Sequence, residues 1–377
     1  MQRNYHSFFL QHTLADYLPW THKLNLVLPG FLCTYLRNGR VVRGRGGNKR
    51  KRCIFISFIG VMLFLFVSFY NKLISPNGSS QPVMVSPQSK LDQWEDPGPY
   101  HVAYPRNYRF IMDDTATCRN RTPFLLLMVP VAPSDVEARD TIRKTWGSEK
   151  SVLGQTVETL FILGLPGGPD HEQQQEKLHQ ENLQHRDLIQ GRFQDTYRNL
   201  TIKTMLTLEW LSLYCTKASY YMKIDSDMLL HVPNLVKLLL DPKTPKQKYM
   251  SGLVWWHSPV IRNPFNRFYM PARVFAEPEY PPYPLGMAYV MSLDLPAKLL
   301  QMSSQIKPIY IEDAYLGMCL QRLGLAPTDP PEDTMFLVLP KHPLSNCRLS
   351  KVIAVTTESR QQMMSYWQKS KRLEAEC

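Results

Sequence analysis

Four carboxylates carry the chemistry that this sequence offers. Asp225 and Asp227 stand two residues apart in YYMKIDSDMLLH, residues 220–231, and Glu312 and Asp313 are adjacent in IEDAYLGMCL, residues 311–320. Carboxylates at i and i+2 on a turn can face one divalent ion or one polar ligand, because hard cations take oxygen ligands. Glu312 and Asp313 open an apolar helical pattern. There they favour the positive end of the helix dipole by under ~1 kcal/mol, and beside a bound ligand one of them becomes a general-base candidate. Taken alone, an Asp-x-Asp is more often a solvated turn, and Pro233 and Asn234 mark a helix start just downstream.

The elements around these residues raise their standing. Ser219 to Ile224 reads as an apolar strand, suited to the middle of a sheet, that runs directly into Asp225. Ligands of open α/β sheets collect outside the carboxyl ends of such strands. Upstream, Phe124 to Ala132 is a buried strand, and Ser134-Asp135-x-Glu137 opens a helix to Trp146 in the manner of a capping box. Val157 to Gly164 is a second strand, His171 to Arg186 a polar helix, Leu188 to Gln190 a short strand, and Asn199 to Cys215 an amphipathic helix. Strands alternating with helices predict an α/β fold with a doubly wound parallel sheet. Downstream, Val232 to Leu240 is a helix and Lys248 to Trp256 a strand; Ala288 to Ser292 is a strand followed by a helix through Leu300. Between them, Pro281, Pro282 and Pro284 rule out a regular element in EPEYPPYPLG, residues 277–286, and such stiff aromatic loops either contact sugars or pack on their own rings. No GxGxxG and no GxxxxGK[ST] is present, which excludes a dinucleotide fingerprint and a P-loop.

The chain has 377 residues and a formal net charge of +12. Much of that excess lies between Arg37 and Arg52, so the charge does not point to nucleic acid. CIFISFIGVMLFLFVSFY, residues 53–70, follows at once; it is uncharged and, extended to about residue 74, long enough to cross a bilayer. With the basic run on its N-terminal side, the expected topology is type II, with the C-terminal bulk lumenal. The predicted organisation is a cytoplasmic tail over 1–52, a transmembrane signal anchor over 53–74, a Pro-, Ser- and Gln-rich stem over 75–120, and one catalytic domain over 121–377. Asn77, Asn120 and Asn199 each begin an N-glycosylation sequon on the lumenal side. Cys118, Cys215, Cys319, Cys347 and Cys377 fall there too, so up to two disulfides and one remaining thiol are expected.

In their order along the chain, RDTIRKTWG (139–147), FILG (161–164), ENLQHRDLIQ followed by FQDTYRNLTIKT (193–204), YMKIDSD (221–227), EYPPYPLGMAYVMS (279–292) and IEDAYLGMCL (311–320) resemble the Golgi β-1,3-galactosyltransferases of the large β-1,3-glycosyltransferase family. The resemblance spans about residues 124–377. It implies a GT-A (Rossmann-like) fold, a UDP-sugar donor, Mn2+ and inversion at the anomeric carbon. Carried over by position, Asp225 and Asp227 form the DxD motif, with Asp227 on the metal and Asp225 on the metal and the donor. Asp313 is the general base, and Glu312 orients donor or acceptor. Arg139, Arg143, Trp146, Asp195 and Lys203 line or brace the nucleotide site. The family's second metal contact is a His after a V-I-x-x run; here VIAV is followed by Thr356, and His342 lies elsewhere in the sequence. The implied reaction is transfer of galactose from UDP-galactose to the 3-hydroxyl of a β-linked N-acetylglucosamine on a glycan at the Golgi membrane. UDP-N-acetylglucosamine as donor, and a weakly active glycan-binding Golgi protein, are the alternatives.

The topology has a direct test. Protein made through the secretory pathway should carry N-glycans at one or more of Asn77, Asn120 and Asn199. An unchanged gel mobility after glycosidase treatment would overturn the lumenal assignment.

Overall fold

The computed structural model describes residue 100 and residues 108–113, 117–118 and 122–371, all within one compact unit, Trp94–Cys377. The anchor segment 53–74, Asn77 and Asn120 lie outside the described residues, and no helix among the described residues is long and apolar enough to cross a membrane.

In chain order the strands that build the fold are β1 (Phe110–Met112), β2 (Leu125–Pro130), β3 (Ser151–Val152), β4 (Gln155–Leu165), β5 (Leu188–Gln194), β6 (Tyr220–Ile224) and β7 (Met228–Leu230), then β8 (Met250–Trp255), β9 (Ser258–Pro259), β10 (Glu279–Tyr280), β11 (Tyr283–Ser292), β12 (Phe336–Leu337) and β13 (Ala354–Thr356). The helices are α1 (Val136–Lys144), α2 (His171–His185), α3 (Leu200–Tyr214) and α4 (Val232–Leu240), then α5 (Leu295–Ser303), α6 (Glu312–Arg322), α7 (Asn346–Lys351) and α8 (Arg360–Ser370). The main sheet runs β1-β5-β4-β2-β6-β11-β8, with β3 paired to β4. Its centre, β5-β4-β2-β6, is parallel, while β1, β11 and β8 each pair antiparallel to their neighbour. The sheet is therefore mixed rather than purely parallel. A small second sheet, β12-β13-β7, forms immediately after Asp227.

Alternation along the central strands divides the core. Leu125, Leu127 and Val129 face one side with Ile142, Trp146 and Leu235, while Leu126 and Met128 face the other with Leu206, Leu211 and Leu316. Residues 125–129 are all fully buried, worth ~1.5–3 kcal/mol per large apolar side chain. This burial on both faces is why the strand reads as an unbroken apolar run.

Four further expectations change. Helix α1 is capped by Asp135, whose side chain accepts from the Ala138 N–H, so the cap lies one residue later than the Ser134–Glu137 box; Glu137 instead pairs with Arg360 of α8 at 3.0 Å. Helix α3 is not amphipathic: it is buried from Thr201 to Leu208 and again at Trp210 and Leu211, because both the sheet and α5–α6 pack on it. Pro284 lies inside β11, where regular structure had been excluded. The strand pairs there only with β8 and meets β6 from Ala288 onward, so the missing proline N–H faces no second ladder. Finally, the stretch assigned to the stem over 75–120 contributes to the fold: β1 closes one edge of the main sheet, and the Tyr100 carbonyl accepts from the Tyr310 N–H at 3.2 Å. Its polar composition concealed the aromatic and apolar alternation of Tyr108, Phe110 and Met112.

Cys118 and Cys215 form a disulfide across 97 residues, Cys347 is also disulfide-bonded, and Cys319 keeps a reduced, buried thiol. The first bridge anchors the segment after β1 to the end of α3. Replacing Cys118 and Cys215 by Ser should lower stability by roughly 2–5 kcal/mol, read by guanidinium unfolding.

Candidate active site

The polar residues converge on the carboxyl edge of the parallel strands. Asp225 follows β6 directly, and its N–H donates to the Met287 carbonyl of β11 at 2.9 Å. The turn 225–227 then enters β7, whose first residue is pinned from the far side of the core. The buried Trp146 indole N–H donates to the Met228 carbonyl at 3.0 Å. Thr357 donates to the Asp227 carbonyl through its N–H at 2.8 Å and its hydroxyl at 2.7 Å. Asp227 is left exposed, and Asp225 partly so.

Opposite this turn begins α6. Glu312 is buried and Asp313 partly buried. Asp313 accepts from the Gly286 N–H at 2.8 Å through Oδ2 and from the Ala314 N–H at 2.9 Å through Oδ1. Each oxygen retains a lone pair for a further partner. A Cβ on Gly286 would stand 2.7 Å from Glu312 Oε1 and 3.1 Å from Asp313 Oδ2, so glycine lets the two elements approach. At Gly317 a Cβ would meet Tyr283 Cβ at 2.9 Å and the Pro282 carbonyl at 3.0 Å; there the proline-rich segment lies flat on α6. Its two rings, Tyr280 and Tyr283, meet edge to face at 6.3 Å, and each packs on a ring outside the segment, Phe275 and Trp255.

One cation joins the two sides. Lys223 of β6 is buried, and its ammonium lies 2.6 Å from Asp225 Oδ1 and 3.7 Å from Glu312 Oε1 and donates to the Gly286 carbonyl. The Thr204 hydroxyl donates to Glu312 Oε2 at 3.0 Å. Burial dominates the electrostatics of α6. It pushes the Glu312 carboxyl up to about 7, against Lys223, while Asp313 raises it further. Burial also raises the Asp313 pKa, against its two backbone N–H bonds. Desolvation and then the Asp225 carboxylate raise the Asp227 pKa. Tyr197 and Arg267 share this field, the tyrosine interacting electrostatically with Arg267, Asp313, Asp225 and Glu312.

The remaining predicted residues divide into two groups. Asp195 and Lys203 form a buried pair at 2.8 Å; Lys203 also donates to the Val131 carbonyl and Asp195 accepts from the Gly164 N–H. This knot ties the carboxyl ends of β2, β4 and β5 together beside Asp225. Arg139 is fully buried; it clamps Glu181 at 2.7 Å and donates to the Ala132 and Pro133 carbonyls, bracing the β2–α1 turn. Arg143, one turn further, is taken up by Asp187, Glu181 and Asp140, and lines a cavity of about 600 Å³ with the end of α2. Burial opposes its charge, but Asp187 and Glu181 outweigh that and raise its pKa. The fold thus gathers Asp225, Asp227, Glu312, Asp313, Asp195 and Lys203 at one edge, with Trp146 beneath and Arg139 behind, while Arg143 points toward the start of β5. Lys223, Thr204, Gly286, Tyr197 and Arg267 escaped the sequence reading. Lys223 left a visible signal, a charge within an apolar strand; the others left none.

Asp225 and Asp227 fit a hard divalent ion, because both are oxygen donors on one turn and Asp227 is exposed. Among the described residues no group of three or more His, Cys, Asp or Glu is placed to hold a metal. Such an ion would therefore be completed by ligand oxygens and water, the usual arrangement at phosphate-bearing substrates. Thr356 stands opposite Met228 in the small sheet, and its hydroxyl accepts from the Leu339 N–H at 2.6 Å; His342 is exposed.

Glu312 makes stability depend on pH. Its folded pKa lies above its ordinary value of 4.5, so the folded state binds more protons between those limits. Stability then falls as pH rises from about 4.5 through 7. Glu312→Gln should flatten that decline and raise the melting temperature at pH 8 relative to the parent; thermal scans from pH 5 to 8 measure both.

Comparison with known proteins follows the same lines. The family model described as Galactosyltransferase matches residues 137–331. UDP-GalNAc:beta-1,3-N-acetylgalactosaminyltransferase 1 of Mus musculus is 35% identical over 269 residues, 71% of this chain and 81% of that protein. Beta-1,3-galactosyltransferase 2 of Homo sapiens is 34% identical over 272 residues, 71% of this chain and 63% of that protein. Among solved structures, a glycosyltransferase involved in the glycosylation of the major capsid of PBCV-1 superposes on 65% of this chain and 99% of its own at 8% identity, with a TM-score of 0.36, too loose to carry an argument. With the model matching more than half of the sequence and both relatives above 30% identity, the chain belongs to the galactosyltransferase family.

Proposed function

We propose that this chain transfers galactose from UDP-galactose to the 3-hydroxyl of a β-linked N-acetylglucosamine, with inversion, on glycans in the Golgi lumen. The observation that carries the reading is the gathering around Lys223 of an Asp-x-Asp turn with an exposed Asp227 and a partly buried aspartate whose oxygens are both oriented by backbone N–H groups. The first suits a nucleotide-sugar and the second an acceptor hydroxyl. UDP-N-acetylgalactosamine is a second candidate donor, favoured by the name of the Mus musculus relative. The two donors differ at C2, so side-by-side turnover decides between them. UDP-N-acetylglucosamine belongs in the same assay.

The residues have separable tasks. Asp313 accepts the proton of the acceptor hydroxyl as that oxygen attacks the anomeric carbon and the bond to UDP breaks. Its raised pKa makes it the stronger base once ionised. The Gly286 and Ala314 N–H groups hold its carboxylate in one orientation throughout. Glu312, buried beside it, orients through Thr204 and Lys223 rather than by touching solvent. Asp227 and Asp225 would hold Mn2+ together with the diphosphate, and that ion supplies charge neutralisation for the departing UDP. Asp195, Lys203, Trp146 and Arg139 keep the turn and the strand ends rigid, which an in-line displacement requires.

Two conservative substitutions separate these tasks. Asp227→Asn should weaken Mn2+-dependent UDP binding in calorimetry, because a charge leaves the ion's ligand set. Asp313→Asn should leave UDP binding nearly unchanged and lower kcat by about 10²- to 10⁴-fold, roughly 3–5 kcal/mol of barrier. Wild-type kcat in Asp313→Asn would overturn the base assignment. Turnover with UDP-N-acetylgalactosamine or UDP-N-acetylglucosamine and none with UDP-galactose would overturn the donor.

A further inference from the structure

Lys223 is the penultimate residue of β6, opposite Met128 of β2 and Tyr289 of β11. Its side chain is 10% exposed. On one side its ammonium meets Asp225 Oδ1; on the other it donates to the Gly286 carbonyl. The N–H of that same glycine donates to Asp313 Oδ2 at 2.8 Å. The sequence Asp225, Lys223, Gly286, Asp313 is therefore one continuous run of polar contacts from the donor turn to the acceptor-side carboxylate. Little in it can slacken. The Asp225 N–H is bonded to Met287, the strands are in register from Ala288 and Ile224, and the space a Gly286 side chain would take is filled by Glu312 and Asp313.

Stability does not account for this arrangement. Desolvating an ammonium and a carboxylate is expensive, and an apolar residue of similar length between Tyr221 and Tyr289 would avoid that cost. Nor is the ion pair fully satisfied, since Glu312 Oε1 is buried without a hydrogen-bond partner. A cation built for stability would have its partners completed; this one is placed where it fixes directions. Resting on the transferase reading above, we propose that Lys223 is the positioning residue that couples the two halves of the centre, orienting Asp225 directly and Asp313 through Gly286.

Double-mutant cycles test this, because a residue that acts through another loses its effect once that other is gone. Lys223→Met should keep a melting temperature near the parent's. It should lower kcat by about 30- to 100-fold in the parent and by less than about threefold in Asp313→Asn. Calorimetry supplies a readout besides turnover: UDP affinity with Mn2+ should fall by about three- to tenfold in the parent and not further in Asp225→Ala. Lys223→Arg, which keeps the charge but replaces a point donor by a planar fork, should fold and show the same pattern, and it replaces the methionine variant if that one fails to fold. Effects that multiply in both cycles, or a parental kcat in Lys223→Met, would overturn the proposal. If the parent binds UDP but transfers no hexose, the transferase reading fails, while the binding cycle with Asp225 still decides the donor half of the coupling.

Discussion

The structure depends on solving a charge problem at one sheet edge. Asp225, Asp227, Glu312 and Asp313 all interact electrostatically with Lys223, a buried cation near the end of β6. Carboxylates that close together repel, and burial penalises each ion separately. The fold answers with three devices. Lys223 faces Asp225 and Glu312, backbone N–H groups hold both oxygens of Asp313, and Glu312 is raised to about 7 by burial. Of the four, Asp227 alone is exposed.

Everything behind this edge keeps it from moving. The Lys203–Asp195 knot ties three strand ends, and the Arg139–Glu181 clamp fixes the turn after β2. The turn carrying Asp227 is fixed from two directions, by Trp146 across the core and by Thr357 from the strand that follows β12. Buried ion pairs are poor sources of net stability. Here they occupy positions where backbone segments from distant parts of the chain must keep fixed distances, and the apolar layers on both faces of the sheet carry the stability.

Membership of the galactosyltransferase family narrows the chemistry without settling the sugar. The relatives include a galactosyltransferase and an N-acetylgalactosaminyltransferase at nearly equal identity. Thr356 spends its hydroxyl on the Leu339 N–H.

Much of this was legible in the sequence. The central strands are continuous apolar runs because both their faces are covered, so residues 125–130 and 220–224 announced themselves. Asp225, Asp227, Glu312 and Asp313 were visible because they stand in pairs at the end of an apolar strand and the start of an apolar helix, inside the ordered motifs. The ordered motifs carried the family. Tertiary structure decided the rest. Whether Asp135 or Ser134 capped α1 depended on where the turn after β2 placed the backbone. Pro284 was admitted to a strand because its neighbour on one side is absent at that level. Helix α3 lost its solvent face to two layers of packing. The commitment of Arg139 and Arg143 to Glu181 and Asp187, about forty residues away in sequence, could not be read from RDTIRKTWG. Above all, the link from Lys223 through Gly286 to Asp313 joins strands and a helix separated by 63 and 27 residues. Local sequence fixes which groups are polar and which face of an element they occupy, but only the closing of the chain brings their charges within a few ångströms, where Coulomb energy and desolvation become large.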